Sequence, residues 1–183
     1  NTARKQLSGC GSSNTNALAF GGEVSPNTGK TESWNGSNWT EVNDLNQARR
    51  FLNAAGTSTS TVAFGGGEPP TLYNNTEQWN GTNWTEVNNL NTARERLGGA
   101  GVDNTSALAF GGAVPAVTAV AESWNGTNWT EVNDLNTARK ELGSFGIITA
   151  ALAVGGYATA ASADTETWNG TNWTEVNNLN TAR

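Results

Sequence analysis

The chain of 183 residues contains no histidine and no methionine, and its only cysteine is Cys10. Without histidine, a zinc centre loses its commonest nitrogen ligand and a nucleophilic triad loses its usual base. One thiol cannot form an internal disulfide. The slot of Cys10 in the other copies of the repeat described below holds Ala55, Ala100 and Phe145, which reads as a packed apolar position rather than a reactive one. Basic residues are also scarce: 10 Lys and Arg against 16 Asp and Glu leave a net charge of −6. That balance lacks the clustered cations needed to bind a phosphate backbone or an anionic membrane surface. No apolar run approaches the length of a membrane-spanning helix, and no stretch carries a helical period.

What the chain has is repetition. Arg4, Arg49, Arg94, Arg139 and Arg183 recur at spacings of 45, 45, 45 and 44 residues. Each copy holds an apolar run closed by Gly-Gly, then Glu-x-Trp, Asn-Gly, Asn-Trp-Thr-Glu-Val-Asn and Leu-Asn-x-Ala-Arg. A fixed period of this size marks an array in which no unit buries its core alone. The units run approximately over 4–48, 49–93, 94–138 and 139–183, within one domain covering 1–183. The same phrase, Asn-Thr-Ala-Arg, stands at both ends, and the chain reads as a processed or excised piece of a longer array.

Within a unit, four strands are expected. The first is small and glycine-bearing, as in Leu7–Ser12, which fits a strand crowded against its equivalents. The second is a short continuous apolar run, such as Ala17–Phe20, and fits a strand buried on both faces. The third and fourth form a hairpin around Asn35-Gly-Ser-Asn38, with Trp34 and Trp39 on one face by parity. All eight tryptophans fall in these two slots: 34/39, 79/84, 124/129 and 168/173. The fold class expected is therefore all-β: a β-propeller of four-stranded antiparallel blades, four in this chain, since radial stacking covers both faces of each sheet. A small ring closed by these four alone is the favoured count, a place in a larger ring and two copies making eight blades being the alternatives.

The residues resemble the kelch repeat. Gly21-Gly22 closes strand two as that family's double glycine does, Trp34 stands where kelch repeats have a Tyr, and Trp39 matches the later Trp. Ala3-Arg4 is similar to the pair that opens many kelch repeats. The chain is also similar to the Asn/Thr/Trp-rich kelch-like arrays of phage and environmental bacterial proteins. The copper oxidases built on kelch propellers use His, Tyr and Cys. With no His, one Cys, and only Tyr73 and Tyr157, that activity transfers to no position here.

Two sets of side chains stand out. Arg4, Arg49, Arg94 and Arg139 precede strand one, while Glu32, Glu77, Glu122 and Glu166 stand on strand three beside a Trp. Residues present in every unit serve what every unit shares, so these read as a structural ring of ion pairs, with Arg also stacking on Trp. A carboxylate ring lining a cation channel is the functional alternative. Symmetric acids do not make the unequal pair that general acid–base catalysis requires, so no enzyme, no catalytic residue, no metal and no cofactor is expected.

The second set is variable. Between Gly-Gly and Glu-x-Trp the copies change chemistry at nearly constant length, as loops on a rigid scaffold do. These loops share one end with the strand four-to-one connections and carry Pro69, Pro70, Leu72, Tyr73, Val114, Pro115, Val117 and Tyr157. An apolar loop-built face points to a non-catalytic binding or adhesion module whose partner is a protein or glycan receptor. The setting expected is extracellular or on a virion surface, as in a phage tail or other appendage. The partners expected exclude nucleic acid and membrane and include other copies or other parts of such an appendage. A structural spacer or assembly element with no ligand is the alternative, and a glycan-acting enzyme the remote one.

Overall fold

The computed structural model describes residues 2–183, and these form strands and turns with no helix among them. The first sheet comprises β1 (Ser8–Ser13), β2 (Asn16–Phe20), β3 (Thr31–Trp34) and β4 (Trp39–Val42). The second comprises β5 (Asn53–Thr57), β6 (Ser60–Phe64), β9 (Thr76–Trp79) and β10 (Trp84–Val87). Its connection between β6 and β9 adds a small hairpin of β7 (Gly67–Glu68) and β8 (Thr71–Leu72). The third holds β11 (Gly98–Asp103), β12 (Ser106–Phe110), β13 (Ala121–Trp124) and β14 (Trp129–Val132). The fourth holds β15 (Gly143–Ile147), β16 (Ala150–Val154), β17 (Thr165–Trp168) and β18 (Trp173–Val176). Each sheet is an antiparallel meander with strands in sequence order.

The hairpin register follows from turn chemistry. Asn35 Oδ1 accepts from Ser37 N and Asn38 N at 3.0 and 2.9 Å, and Gly36 takes φ 93°, where a side chain is disfavoured. The four-residue turn makes Trp34 and Trp39 direct cross-strand partners, with ring centroids 5.5 Å apart. The two tryptophans then do different work. The first of each pair donates its indole N–H to the turn between strands one and two, as Trp79 does to Ser58 O at 3.0 Å. In the second to fourth sheets the second reaches across to the preceding sheet: Trp84 stands edge-on to Phe20 at 4.9 Å, and Trp129 to Phe64 at 5.0 Å.

The sheets pack face to face through three apolar clusters, one at each junction. Leu18, Phe20 and Leu45 meet Ala54, Ala63, Trp79 and Trp84 at the first. The same slots, in Val62, Phe64, Leu90 and in Leu108, Phe110, Leu135, repeat this packing at the second and third. Each sheet thus has a leading face of Leu and Phe and a trailing face of Ala and Trp.

Buried ion pairs join the same junctions. Arg49, after β4, donates to Glu77 on β9 at 2.5 Å, and Arg139 to Glu166 on β17 at 2.7 Å; Arg94 meets Glu122 likewise. These side chains are wholly shielded from solvent. The second Glu77 oxygen accepts from Asn46 N and Asn46 Nδ2 at 2.7 and 2.9 Å. That arrangement explains Leu-Asn-x-Ala-Arg: the leucine enters one sheet's leading face, and Asn and Arg wrap the next sheet's carboxylate. Arg4 holds Glu32 more loosely, at 3.3 Å. Two other arginines stack on Phe51: Arg96 and Arg50 sit over its ring at 3.9 and 5.1 Å.

The first strands line up: β1 packs on β5, β5 on β11 and β11 on β15. Among the described residues no comparable packing brings β15 back to β1, so a ring closed by these four units alone is not formed. The burial follows this order. Trp39 is 38% exposed where Trp84, Trp129 and Trp173 are buried, and Phe145 is 63% exposed where Ala55 and Ala100 are buried.

Candidate functional site

One end of the molecule gathers the strand two-to-three loops and the strand four-to-one connections. Backbone bridges between Lys5 and Glu23, Arg50 and Gly67, Glu95 and Ala113, and Lys140 and Tyr157 tie each connection to its unit's loop. The double glycines make this possible: Gly65 and Gly66 take φ 65° and 91°, and a Cβ on either would collide with the carbonyl oxygen of Arg94 or Arg50. The loops also share an anchor. Thr28, Tyr73, Thr118 and Ser162 each donate their backbone N–H to the second glycine's carbonyl, at 2.8–2.9 Å. A shared frame explains why their length is held while their side chains change.

At the centre of this end, four residues of one slot adopt the left-handed conformation: Gln6, Phe51, Arg96 and Glu141, with φ between 55° and 58°. Such backbone is costly for residues with a Cβ, and a relay of hydrogen bonds between units holds it. Phe51 N donates to Gln6 O at 3.1 Å, Arg96 N to Phe51 O at 2.9 Å and Glu141 N to Arg96 O at 2.9 Å. The four side chains rim a cleft of about 490 Å³ whose apolar walls are Leu7, Leu52, Leu97 and Leu142. Arg96 lies over the Phe51 ring, donates to Glu95 at 3.2 Å and pairs with Glu141. Arg50 pairs with Glu23 at the neighbouring edge.

The expected loop residues all lie at this end. Pro69, Pro70, Pro115 and Tyr157 are exposed; Leu72, Tyr73, Val114 and Val117 are half-buried. Pro69 lines a second cleft of about 320 Å³ with Glu23, Pro26, Asn27 and Arg50. Tyr157 receives Lys140 over its ring at 5.8 Å. The residues brought together around the larger cleft are others, and sequence reading passed over them. Their signal was present: in Arg-x-x-Leu the third position reads Gln, Phe, Arg, Glu within an otherwise constant frame.

The repeated Arg and Glu residues lie in the junctions, away from this cleft. Burial pushes the Arg49 and Arg94 guanidinium groups below their ordinary value, while Glu77 and Glu122 pull them back up. Burial also pushes the Cys10 thiol up to about 11, against a hydrogen bond with Thr61 Oγ1 at 2.9 Å. Among the described residues, no three His, Cys, Asp or Glu gather as a metal site.

No protein-family model matches this chain. A search of curated proteins finds no significant match.

Proposed function

We propose that the chain is a non-catalytic binding module, built as a kelch-like propeller segment, that grips a protein partner at the end carrying Gln6, Phe51, Arg96 and Glu141. Four four-stranded meanders in a row, each closed by Gly-Gly and carrying the paired tryptophans, support the propeller reading. The observation that carries the function is the 490 Å³ cleft with an apolar floor and a rim that differs in every unit. Repeated residues maintain the scaffold, whereas these rim residues differ from unit to unit while converging on one open cleft. Arg and aromatic side chains, here Arg96 and Phe51, are among the types enriched at protein interfaces. Exposed Tyr157 and Val24 extend this surface outward along the loops. A chain rich in Asn, Thr and Ser and short of Lys fits a setting on a virion or cell surface appendage.

The test is a selection from a random peptide display library on the immobilised chain. Selected peptides should bind the Phe51→Ser/Arg96→Ser variant at least about tenfold more weakly, a loss of about 1.4 kcal/mol. Melting by circular dichroism establishes that the variant is folded. Peptides that bind both proteins equally would overturn the reading.

A further inference from the structure

The three junctions are copies of one interface, and the chain carries one unmatched half of it on each outer face. On the first sheet the trailing face presents Leu7, Trp34 and Trp39. Leu7 and Trp39 are 41% and 38% exposed and Trp34 is half-buried, while their counterparts in the other three sheets are all buried. On the fourth sheet the leading face presents Phe145, Leu152, Val154 and Leu179. A cleft of about 460 Å³ opens there, lined by Phe145, Val154, Leu179 and Arg183. The counterparts of Leu152, Val154 and Leu179 in the first three sheets are all buried.

We infer that a second copy of this chain covers these faces, the leading face of the fourth sheet seating on the trailing face of the partner copy's first sheet. The occupant is specified by continuity with the internal junctions. Thr165 carries the hydroxyl that, at Thr31 and Thr76, accepts the N–H of the next sheet's tryptophan. Asn177 stands in the slot of Asn43, Asn88 and Asn133, which bind the next sheet's Asn turn at 2.7–3.0 Å, and it is exposed. The aromatic ring of Phe20, Phe64 and Phe110 moves from strand two to strand one, with Val154 and Phe145 as neighbours on one face. The trailing face opposite offers glycines at 9 and 11, which leaves room for the larger Phe145.

Residues 180–183 extend the match. Arg49, Arg94 and Arg139 each reach the next sheet's glutamate, but Arg183 is exposed and has no carboxylate partner among the described residues. Thr2 N and Arg4 Nη2 contact the Glu32 carboxylate at 3.2 and 3.3 Å. In the assembled pair, the identical Asn180–Arg183 segment of one copy takes over this place on the other. A face-to-different-face contact propagates until it closes. Two copies give eight four-stranded sheets, at the top of the usual range for such rings.

Light scattering on the full chain should give twice its 19.1 kDa mass. Phe145→Glu spoils the leading face, and Leu7→Glu spoils the trailing face together with one wall of the central cleft; both positions are exposed enough to tolerate the charge. Each variant alone should run as a single copy. An equimolar mixture should regain a one-to-one complex, because each variant supplies the face the other lacks. A wild-type chain that remains a single copy at the highest attainable concentration would overturn the proposal. So would a ladder of higher masses, a pair formed by either variant alone, or a mixture that fails to associate.

Discussion

Arg49, in the connection between the first and second sheets, and Glu77, on β9 of the second, form a fully buried ion pair at 2.5 Å, so one charge-assisted contact fastens the connection to the sheet it leads into. Removing one partner strands the other charge out of water, the costlier half of any buried pair. Glu77→Gln should destabilise the chain by about 3 kcal/mol, because Arg49 stays buried with only half of its compensation. The Arg49→Met/Glu77→Gln double variant should lose less than the sum of the single losses. Denaturant titration of the three variants checks this.

The junction aromatics provide a second contrast. Phe64 is buried against Trp129, whereas Phe145 on the fourth sheet is 63% exposed. Phe64→Ala should cost about 3–4 kcal/mol through lost transfer energy and a cavity. Phe145→Ala, measured at a dilution where copies stay apart, should cost under about 1 kcal/mol. Equal losses would show that the two ends are not open.

Trp173 shows where the repeat is imperfect. Trp84 and Trp129 donate to Thr31 and Thr76 hydroxyls at 3.0 Å, but Ala121 occupies that slot for Trp173, whose buried Nε1 has no partner. Ala121→Thr should supply the acceptor and raise stability by about 1 kcal/mol. The pocket already accepts threonine in two of three junctions, so a lowered melting temperature would contradict the mechanism.

Cys10 couples stability to alkaline pH. Burial raises its folded pKa from 9.0 to about 11. The unfolded chain therefore loses the thiol proton first. The contribution is intact below about pH 9 and is lost as pH rises through about 11. The wild type should lose on the order of 2 kcal/mol more than Cys10→Ala over that interval, read from denaturant midpoints at its two ends.

Much of the local structure was legible before the fold was seen. The pairing of Trp34 with Trp39 follows from strand parity and the Asn-Gly turn, both properties of adjacent residues. Glu77 and Arg49 could be named as partners because each recurs with the period, although only the packed sheets show that Asn46 shares the same carboxylate. The central cleft was harder to see. Gln6, Phe51, Arg96 and Glu141 lie 45 residues apart and share no chemistry, so nothing local marks them as neighbours. They meet because four connections converge at one end and a relay of backbone hydrogen bonds holds them there.

By itself the sequence determined the unit: its four strands, its turns and the apolar and tryptophan slots on each sheet. These depend on alternation and backbone preference within a few residues. Tertiary structure alone decided that the row of sheets stays open, leaving Phe145 on one outer face and Leu7 on the other. A repeat specifies that each unit fits the next, but the angle between packed sheets sets how many are needed to close, and that angle arises from whole faces in contact.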